Sequence, residues 1–297
     1  MSDTLLVTGA SGHLGQRVIA HLLDTNKVPA NKIIATTRSP ESLSALAAKG
    51  VTVRKADFDN AASLSTAFAG AQRLLLISTD TLGRPGHRLA QHKNALEAAI
   101  NAGVKHVVYT SMPMPKNSPL LIAPDHLGTE HALAASSLTW TILRNCWYME
   151  NLFMSLPQAL ADGKLYTAAG DGKIAYISRD DLGRAAAAAL ACHNGNKGIY
   201  TLTGSEAFST ENIARLASAA VNKPLDVIQV SVEDLIRGMV AGAGIPEAIA
   251  VEIASFDTNT KVHRVAAVTG DFRALTGIAP QKLSEWLAAN NATLARA

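Results

Sequence analysis

Near the N-terminus an apolar run, Leu5-Leu6-Val7, reaches Thr8 and breaks into three glycines at spacing three, Gly9, Gly12 and Gly15. A segment with helical apolar periodicity starts at Leu14. Strand, glycine turn and helix in that order constrain the fold more than any other stretch. They call for a β-strand whose end turns sharply into a helix packed against the same sheet. Gly9 permits the turn off the strand. Gly12, lacking a Cβ, lets a ligand approach the backbone, and Gly15 lets the helix sit close on the sheet. The unpaired N–H groups of the first helical turn then suit a phosphate. A plain strand-to-helix turn that needs glycine only for its geometry is the alternative, and the triplet alone does not separate the two.

The rest of the chain repeats the pattern. Short apolar strands are expected at Ile33 to Thr37, Val51 to Arg54, Arg73 to Ile77, His106 to Tyr109 and Leu138 to Leu143. Helical segments fall between them: Ser39 to Lys49, Ala61 to Ala69, Gly86 to Ala102 and Pro124 to Ser136. Six strands alternating with helices indicate βαβ units and a parallel sheet. The run Arg73-Leu74-Leu75-Leu76-Ile77 is apolar almost throughout, as a strand covered on both faces should be. Right-handed crossovers put every strand C-terminus on one edge. That edge would carry Gly9 to Gly15, Arg38, Asp57, Ser78, Thr79, Ser111 and Asn145. Small and polar residues recur where such folds bind a ligand.

Arg38 bears on which ligand. An acidic residue after the second strand would accept the adenosine ribose hydroxyls of NAD, whereas an arginine suits the 2′-phosphate of NADP. No Asp or Glu lies between Lys32 and Pro40, so the reading favours NADPH over a solvated surface arginine. Past Asn145 the pattern loosens. Helices are expected at Leu152 to Ala161, Asp180 to Cys192, from Ser209 to about Val221, from Ser231 and at Lys282 to Asn290. Strands are expected at Ile174 to Ile177, Ile199 to Leu202 and Asp226 to Val230. Glycine-punctuated segments are expected at Ala241 to Gly244 and around Gly270 and Gly277.

The expected fold is α/β, a Rossmann-like doubly wound parallel sheet with a smaller mixed α/β C-terminal substrate region. Residues 1–150 would form the NADPH-binding unit and 151–297 the smaller region, with 174–204 returning to the main sheet. The 297 residues suffice for a large core, and 48% hydrophobic with 17% charged residues excludes global disorder. A net charge of +3 without a basic run argues against nucleic acid. Cys146 and Cys192 are too few for a disulfide framework or a metal cluster, and no metal site is expected. No apolar run approaches the ~20 residues of a membrane span, and no signal peptide is recognised. The expected location is cytoplasmic.

Taken in order, the stretches GASGHLG, TTRSP, VRKADFD, LLLIST, VVYTS, HLGTE, TILRNCWYMEN and AAGDGKIAYISRDDLGRAAA resemble the NmrA-like atypical short-chain dehydrogenases. Within that group they are most similar to the NADPH-dependent quinone oxidoreductase and triphenylmethane reductase type. The resemblance implies that Gly9, Ser11, Gly12, His13, Leu14 and Gly15 hold the pyrophosphate and Arg38 the 2′-phosphate. It places Asp57 and Phe58 near the adenine, and Ser78 and Thr79 along the cofactor trough. The loop Asn145-Cys146-Trp147-Tyr148-Met149-Glu150-Asn151 would lie beside the nicotinamide and the substrate pocket.

In ordinary short-chain dehydrogenases a Tyr-x-x-x-Lys pair exchanges the substrate proton. None of Tyr109, Tyr148, Tyr166, Tyr176 and Tyr200 has a lysine four residues on, and His126 stands where related atypical members keep the lysine. The departure disfavours alcohol oxidation and sugar epimerisation. It is compatible with hydride transfer to an acceptor that is already electrophilic, where positioning matters most. His126 and Tyr148 are the candidate catalytic residues. His126 would touch the nicotinamide ribose or relay a proton, or else lie on a helix surface. Trp147 and Tyr148 would stack on a planar substrate or anchor the junction. Glu150 and Asn151 would bond the carboxamide or substrate, or cap a helix. The expected function is an NADPH-dependent reductase acting on a quinone-like small molecule, with a homodimer left open. An NADP(H)-binding redox sensor without catalysis and a reductase of dyes or other xenobiotics are the alternatives.

Overall fold

The computed structural model describes residues 3–192 and 198–296. The N-terminal half alternates strands and helices: β1 (Leu5–Val7), α1 (His13–Asp24), β2 (Ile33–Thr37), α2 (Ser44–Ala48), β3 (Thr52–Lys55), α3 (Ala61–Phe68), β4 (Arg73–Leu76), α4 (His87–Asn101), β5 (His106–Ser111), α5 (Ala123–Ala135) and β6 (Thr139–Asn145). Then follow α6 (Leu156–Asp162), β7 (Lys164–Thr167), β8 (Lys173–Ile174), α7 (Arg179–Ala191), β9 (Gly198–Leu202), β10 (Phe208–Ser209), α8 (Thr210–Val221), β11 (Asp226–Gln229), α9 (Val232–Ala243), α10 (Glu247–Lys261), α11 (Asp271–Thr276), α12 (Leu283–Ala289) and α13 (Asn291–Leu294).

Seven strands form one parallel sheet in the order β3-β2-β1-β4-β5-β6-β9. The order reverses between β1 and β4, and that switch point opens a crevice at the strand C-termini. Successive strand residues face opposite sides. Leu5, Val7, Ile33, Ala35 and Leu75 pack with α1 and α7, while Leu6, Ile34, Leu74, Leu76 and Tyr109 pack with α3 and α4. Both faces are thus covered, which is why these strands read as unbroken apolar runs.

The C-terminal region builds a third core from Met149, Leu156, Leu160, Ile213, Trp286 and Leu287. Two small sheets, β7 with β11 and β8 with β10, brace it. Here sequence reading and structure diverge in places. The segment expected as one helix from Ser39 to Lys49 is a 3-10 turn, Pro40–Leu43, followed by the five-residue α2; Leu43 leaves helical geometry at φ −112° and ψ 19°. Of the strand expected over Ile174 to Ile177, only Ile174 lies in a ladder. Ala175 and Ile177 instead donate to the carbonyls of Val265 and Trp147. The expected glycine loop at Ala241 to Gly244 is the end of α9, with Gly244 left-handed as its cap at φ +65°. The 15-residue α10 that follows is absent from the sequence expectation. Its buried side includes Glu252, Ser255, Asn259 and Thr260, so no apolar period announces it. Strand β7 is likewise absent from that expectation.

Candidate functional site: a glycine cradle and a buried histidine network

The crevice begins at the glycine turn. Gly9 sits at φ +58°, which a side chain would strain. The Gly12 N–H donates to the Gly9 carbonyl at 3.0 Å, and closes the turn. No side chain caps α1 and no acidic residue sits in its first turn. Gly9, Gly12 and His13 are exposed, whereas Leu14 and Gly15 are buried. A Cβ on Gly15 would lie 2.3 Å from the Gly9 carbonyl oxygen, so Gly15 is required for the helix to sit where it does. A Cβ on Gly12 would meet the same oxygen at 3.3 Å, a far smaller conflict that a shift of a few tenths of an ångström relieves. An uncapped helix N-terminus beside an open, Cβ-free surface suits a phosphate.

Ser11 ties this turn to the end of β2. Its Oγ lies 2.8 Å from Thr37 Oγ1, which also accepts the Ser39 N–H at 3.2 Å. Arg38 stands between, exposed and without a hydrogen bond or ion pair among the described residues. Asp57 is half-buried at the end of β3, its Oδ1 accepting the Asp59 N–H at 3.0 Å. Phe58 beside it packs on the core, its carbonyl held by Asn94 Nδ2.

At the end of β4, the Ser78 N–H donates to Thr110 Oγ1 at 2.9 Å. The Thr79 N–H donates to His92 Nε2 at 3.0 Å, so the proton of that neutral ring is on Nδ1, which donates to Thr129 Oγ1 at 2.9 Å. Thr129 passes its own proton to the Asp125 carbonyl at 2.7 Å. A second histidine is fixed in the same way. Arg88 Nη2 donates to His126 Nε2 at 3.2 Å, so Nδ1 carries the proton and faces Tyr109 Oη at 2.8 Å. Burial, reinforced by the Arg88 charge, holds His92 at about 3 and His126 well below the usual imidazole value. Burial pushes the Tyr109 phenol well above its usual value.

This corrects the reading of His126. It is neither a surface histidine nor a free proton carrier: it is 4% exposed and both ring nitrogens are bonded within the protein. Arg88, His92, Tyr109 and Thr129 carry no local sequence signal of this network. Tyr109 reads as one more apolar strand residue, and nothing local joins α4 to α5.

The remaining candidates divide. Ser111 Oγ donates to Glu130 Oε1 at 2.7 Å, and Glu130 receives the Arg144 fork at 3.0 and 2.6 Å. Glu150 accepts the Arg179 N–H on both carboxylate oxygens, at 3.1 and 3.0 Å, and Asn151 Oδ1 accepts Arg179 Nη2 at 3.0 Å. Of the readings open for these two residues, the helix cap describes Glu150, and the helix is α7. Trp147 and Tyr148 are both half-buried. Trp147 packs on Phe256 of α10 at 5.0 Å, and the Arg179 guanidinium lies 5.0 Å from the centre of the Tyr148 ring. Burial raises the Tyr148 phenol above its usual value, opposed by a hydrogen bond with Asn145 and by the Arg179 charge.

Two buried acceptors at the strand ends, Thr79 Oγ1 and Asn145 Oδ1, and the buried Trp147 Nε1 donor have no hydrogen-bond partner among the described residues. With the open face of Gly12 and the unopposed Arg38, they fit an extended, phosphate-bearing, hydrogen-bonding ligand such as a dinucleotide. A cavity of about 600 Å³ lies beyond, between the loop after β4, the start of α5 and α10. Among the described residues, no group of His, Cys, Asp and Glu could hold a metal ion, and no helix is long and apolar enough to cross a membrane.

Comparison with known proteins places this geometry. The model of the NmrA-like family matches residues 1–287. The chain belongs to the NmrA-like family. It is 40% identical over 255 residues to quinone oxidoreductase 2 of Escherichia coli (strain K12), covering 85% of this chain and 86% of that one. A solved structure of the Escherichia coli NADPH-dependent quinone oxidoreductase in complex with NADPH superposes at TM-score 0.90. Its identity is 36%, over 96% of this chain and 99% of that chain. The triphenylmethane reductase of Citrobacter sp., solved with NADP(H), superposes at TM-score 0.89 with 33% identity, over 97% and 99% of the two chains. The Rossmann-like sheet of this NmrA-like chain is shared with these reductases.

Proposed function

We propose that this NmrA-like protein transfers a hydride from NADPH to a quinone-like acceptor. It is an NADPH-dependent oxidoreductase. The observation that supports a quinone as the acceptor is the 40% identity to quinone oxidoreductase 2 over most of both chains. The buried network is consistent with it, because a quinone needs no activating acid to accept a hydride. NADPH supplies the hydride when bound. The first turn of α1 and the face of Gly12 would hold its pyrophosphate, and Arg38 its 2′-phosphate. Ser78, Thr79 and Asn145 would line the trough, and Asn145 Oδ1 offers an acceptor to an amide N–H. Tyr148, Trp147 and α10 would exclude water from the reacting face.

His126 and His92 keep their ring protons in fixed hydrogen bonds, with Tyr109 accepting that of His126, so they orient Arg88 and the loop after β4. The quinone becomes the hydroquinone by gaining one hydride and one proton, the proton coming from water. A steady-state assay tests the proposal: NADPH oxidation over a panel of benzoquinones and naphthoquinones, with NADH as the control. Quinone-dependent turnover that prefers NADPH is expected, and no turnover with any quinone would overturn it. A second reading, reduction of triphenylmethane dyes, draws support from the 33% identical Citrobacter sp. reductase, and adding such dyes to the panel ranks the two. The sensing alternative predicts NADPH binding without turnover in the same experiment.

A further inference from the structure

The cavity of about 600 Å³ has mainly apolar walls, among them Leu121, Ile122 and Val251. Three ionisable side chains on its lining are buried: Arg88, Asp125 and Glu252, each 5–6% exposed. Glu252 is already placed, accepting the Gly83 N–H at 2.5 Å, and so ties the loop after β4 to α10 across the cavity. Arg88 is different. One arm of its guanidinium is fixed on His126, which Tyr109 holds in turn. Its Nε is buried and has no partner among the described residues. A guanidinium has only donors. A buried donor left unmatched is costly, and an acceptor atom brought by a ligand removes that cost. Asp125 and Glu252 offset the Arg88 charge, so the chamber does not select for a free anion. An apolar chamber with one fixed, unmatched donor suits a flat ring that carries a carbonyl oxygen.

We propose that this chamber is the acceptor subsite and that Arg88 is its specificity-determining residue, its Nε–H donating to a carbonyl oxygen of the acceptor. The inference rests on the quinone reading above and names the residue that enforces it. The His126–Tyr109 pair sets the direction of that donor.

The experiment compares a quinone with an acceptor that has no oxygen. In wild type, Arg88→Met and Arg88→Lys, kcat and KM are measured for 1,4-naphthoquinone and for an oxygen-free triphenylmethane dye. Binding of 1,4-naphthoquinone to the NADP+-loaded protein is titrated separately by tryptophan fluorescence. Losing one charge-assisted hydrogen bond raises the quinone KM and dissociation constant about tenfold to a hundredfold in Arg88→Met. The ratio of quinone to dye kcat/KM then falls at least tenfold. Arg88→Lys keeps the charge but not Nε, so it restores the melting temperature without restoring the quinone affinity. If Arg88→Met shifts both acceptors equally, or if Arg88→Lys recovers quinone binding, the Nε assignment is wrong while the quinone activity stands. If the wild type turns over no quinone, the functional reading fails. The subsite is then judged by the titration alone, and equal affinities of wild type and Arg88→Met overturn it, as does absence of binding.

Discussion

Two glycines in the same turn are expected to separate folding from cofactor binding. In Gly15→Ala the new Cβ would meet the Gly9 carbonyl oxygen at 2.3 Å and the Ala10 Cα at 2.8 Å. The first distance is about 1.1 Å inside ordinary contact, and both atoms are backbone. The start of α1 must therefore move. It is also confined from its flank by α7, whose Gly183 approaches so closely that a Cβ there would lie 2.6 Å from Arg17 Cβ. Overpacking of this kind costs ~1–3 kcal/mol, which for a chain of this size lowers Tm by about 2–10 °C. In Gly12→Ala the residue keeps an ordinary conformation at φ −74°. Its Cβ meets only the Gly9 oxygen, at 3.3 Å, which a shift of a few tenths of an ångström relieves. Stability should fall by no more than ~1 kcal/mol, the cost of replacing an N-cap glycine. The methyl nevertheless stands on the open face offered to the pyrophosphate, and NADPH affinity should fall at least tenfold, ~1.4 kcal/mol. Thermal melts by circular dichroism without ligand and fluorescence titrations with NADPH read the two quantities separately. The cradle assignment is refuted by a Gly12→Ala protein that binds NADPH as the wild type does. The steric argument is refuted by a Gly15→Ala protein with an unshifted melting temperature.

Other expectations follow from the same geometry. Arg38→Asp should raise the KM for NADPH at least tenfold, ~1.4 kcal/mol or more, with a much smaller effect on NADH; equal effects would remove the 2′-phosphate from this side chain. Arg144→Met strands the buried Glu130 carboxylate and should cost about 3 kcal/mol, the low end for a broken buried pair because Arg144 is partly exposed. Chemical denaturation measures that loss, and adding Glu130→Gln should recover part of it. Acid should destabilise the protein through His92 and His126, whose native values lie below the 6.5 of the unfolded chain. As pH falls below about 6.5 the unfolded state takes up protons that the native rings refuse. For His92 about 2 kcal/mol is therefore lost between pH 7 and pH 5, and His126 adds to the loss in the same direction. Urea midpoints across that range test this, and His92→Gln should flatten the slope by ~1 kcal/mol per pH unit averaged over it. An unchanged slope in His92→Gln would show that His92 is protonated in the native state.

The legible parts of this protein are local. The glycine spacing, the apolar β4 and the serine that starts α8 each depend on residues within one or two turns of each other. Each could be read without a neighbour from elsewhere in the chain, and Ser209 does accept the N–H of Asn212. The C-terminal half is less legible because its elements bury polar groups. Helix α10 turns Glu252, Ser255 and Asn259 inward to hold Gly83, Leu121 and Ser118, partners 134 to 169 residues away. Hydrophobic period carries no trace of such bonds. Glu150 shows the same limit: its carboxylate caps a helix that begins 29 residues later, and no short-range pattern distinguishes this from a ligand contact.

The sequence by itself determined the parallel α/β sheet, the place of the glycine turn and the preference for NADPH. Strand and helix periods, glycine geometry and the sign of one charge are properties of short segments. Tertiary structure alone decided where His126 lies, which residues line the cavity beside β4, and that Arg88 lines it with a buried, unmatched donor. These depend on desolvation and on pairings between α4, β5, α5 and α10. Burial converts an imidazole from a titrating group into a fixed donor and acceptor, and burial is set only when distant segments pack.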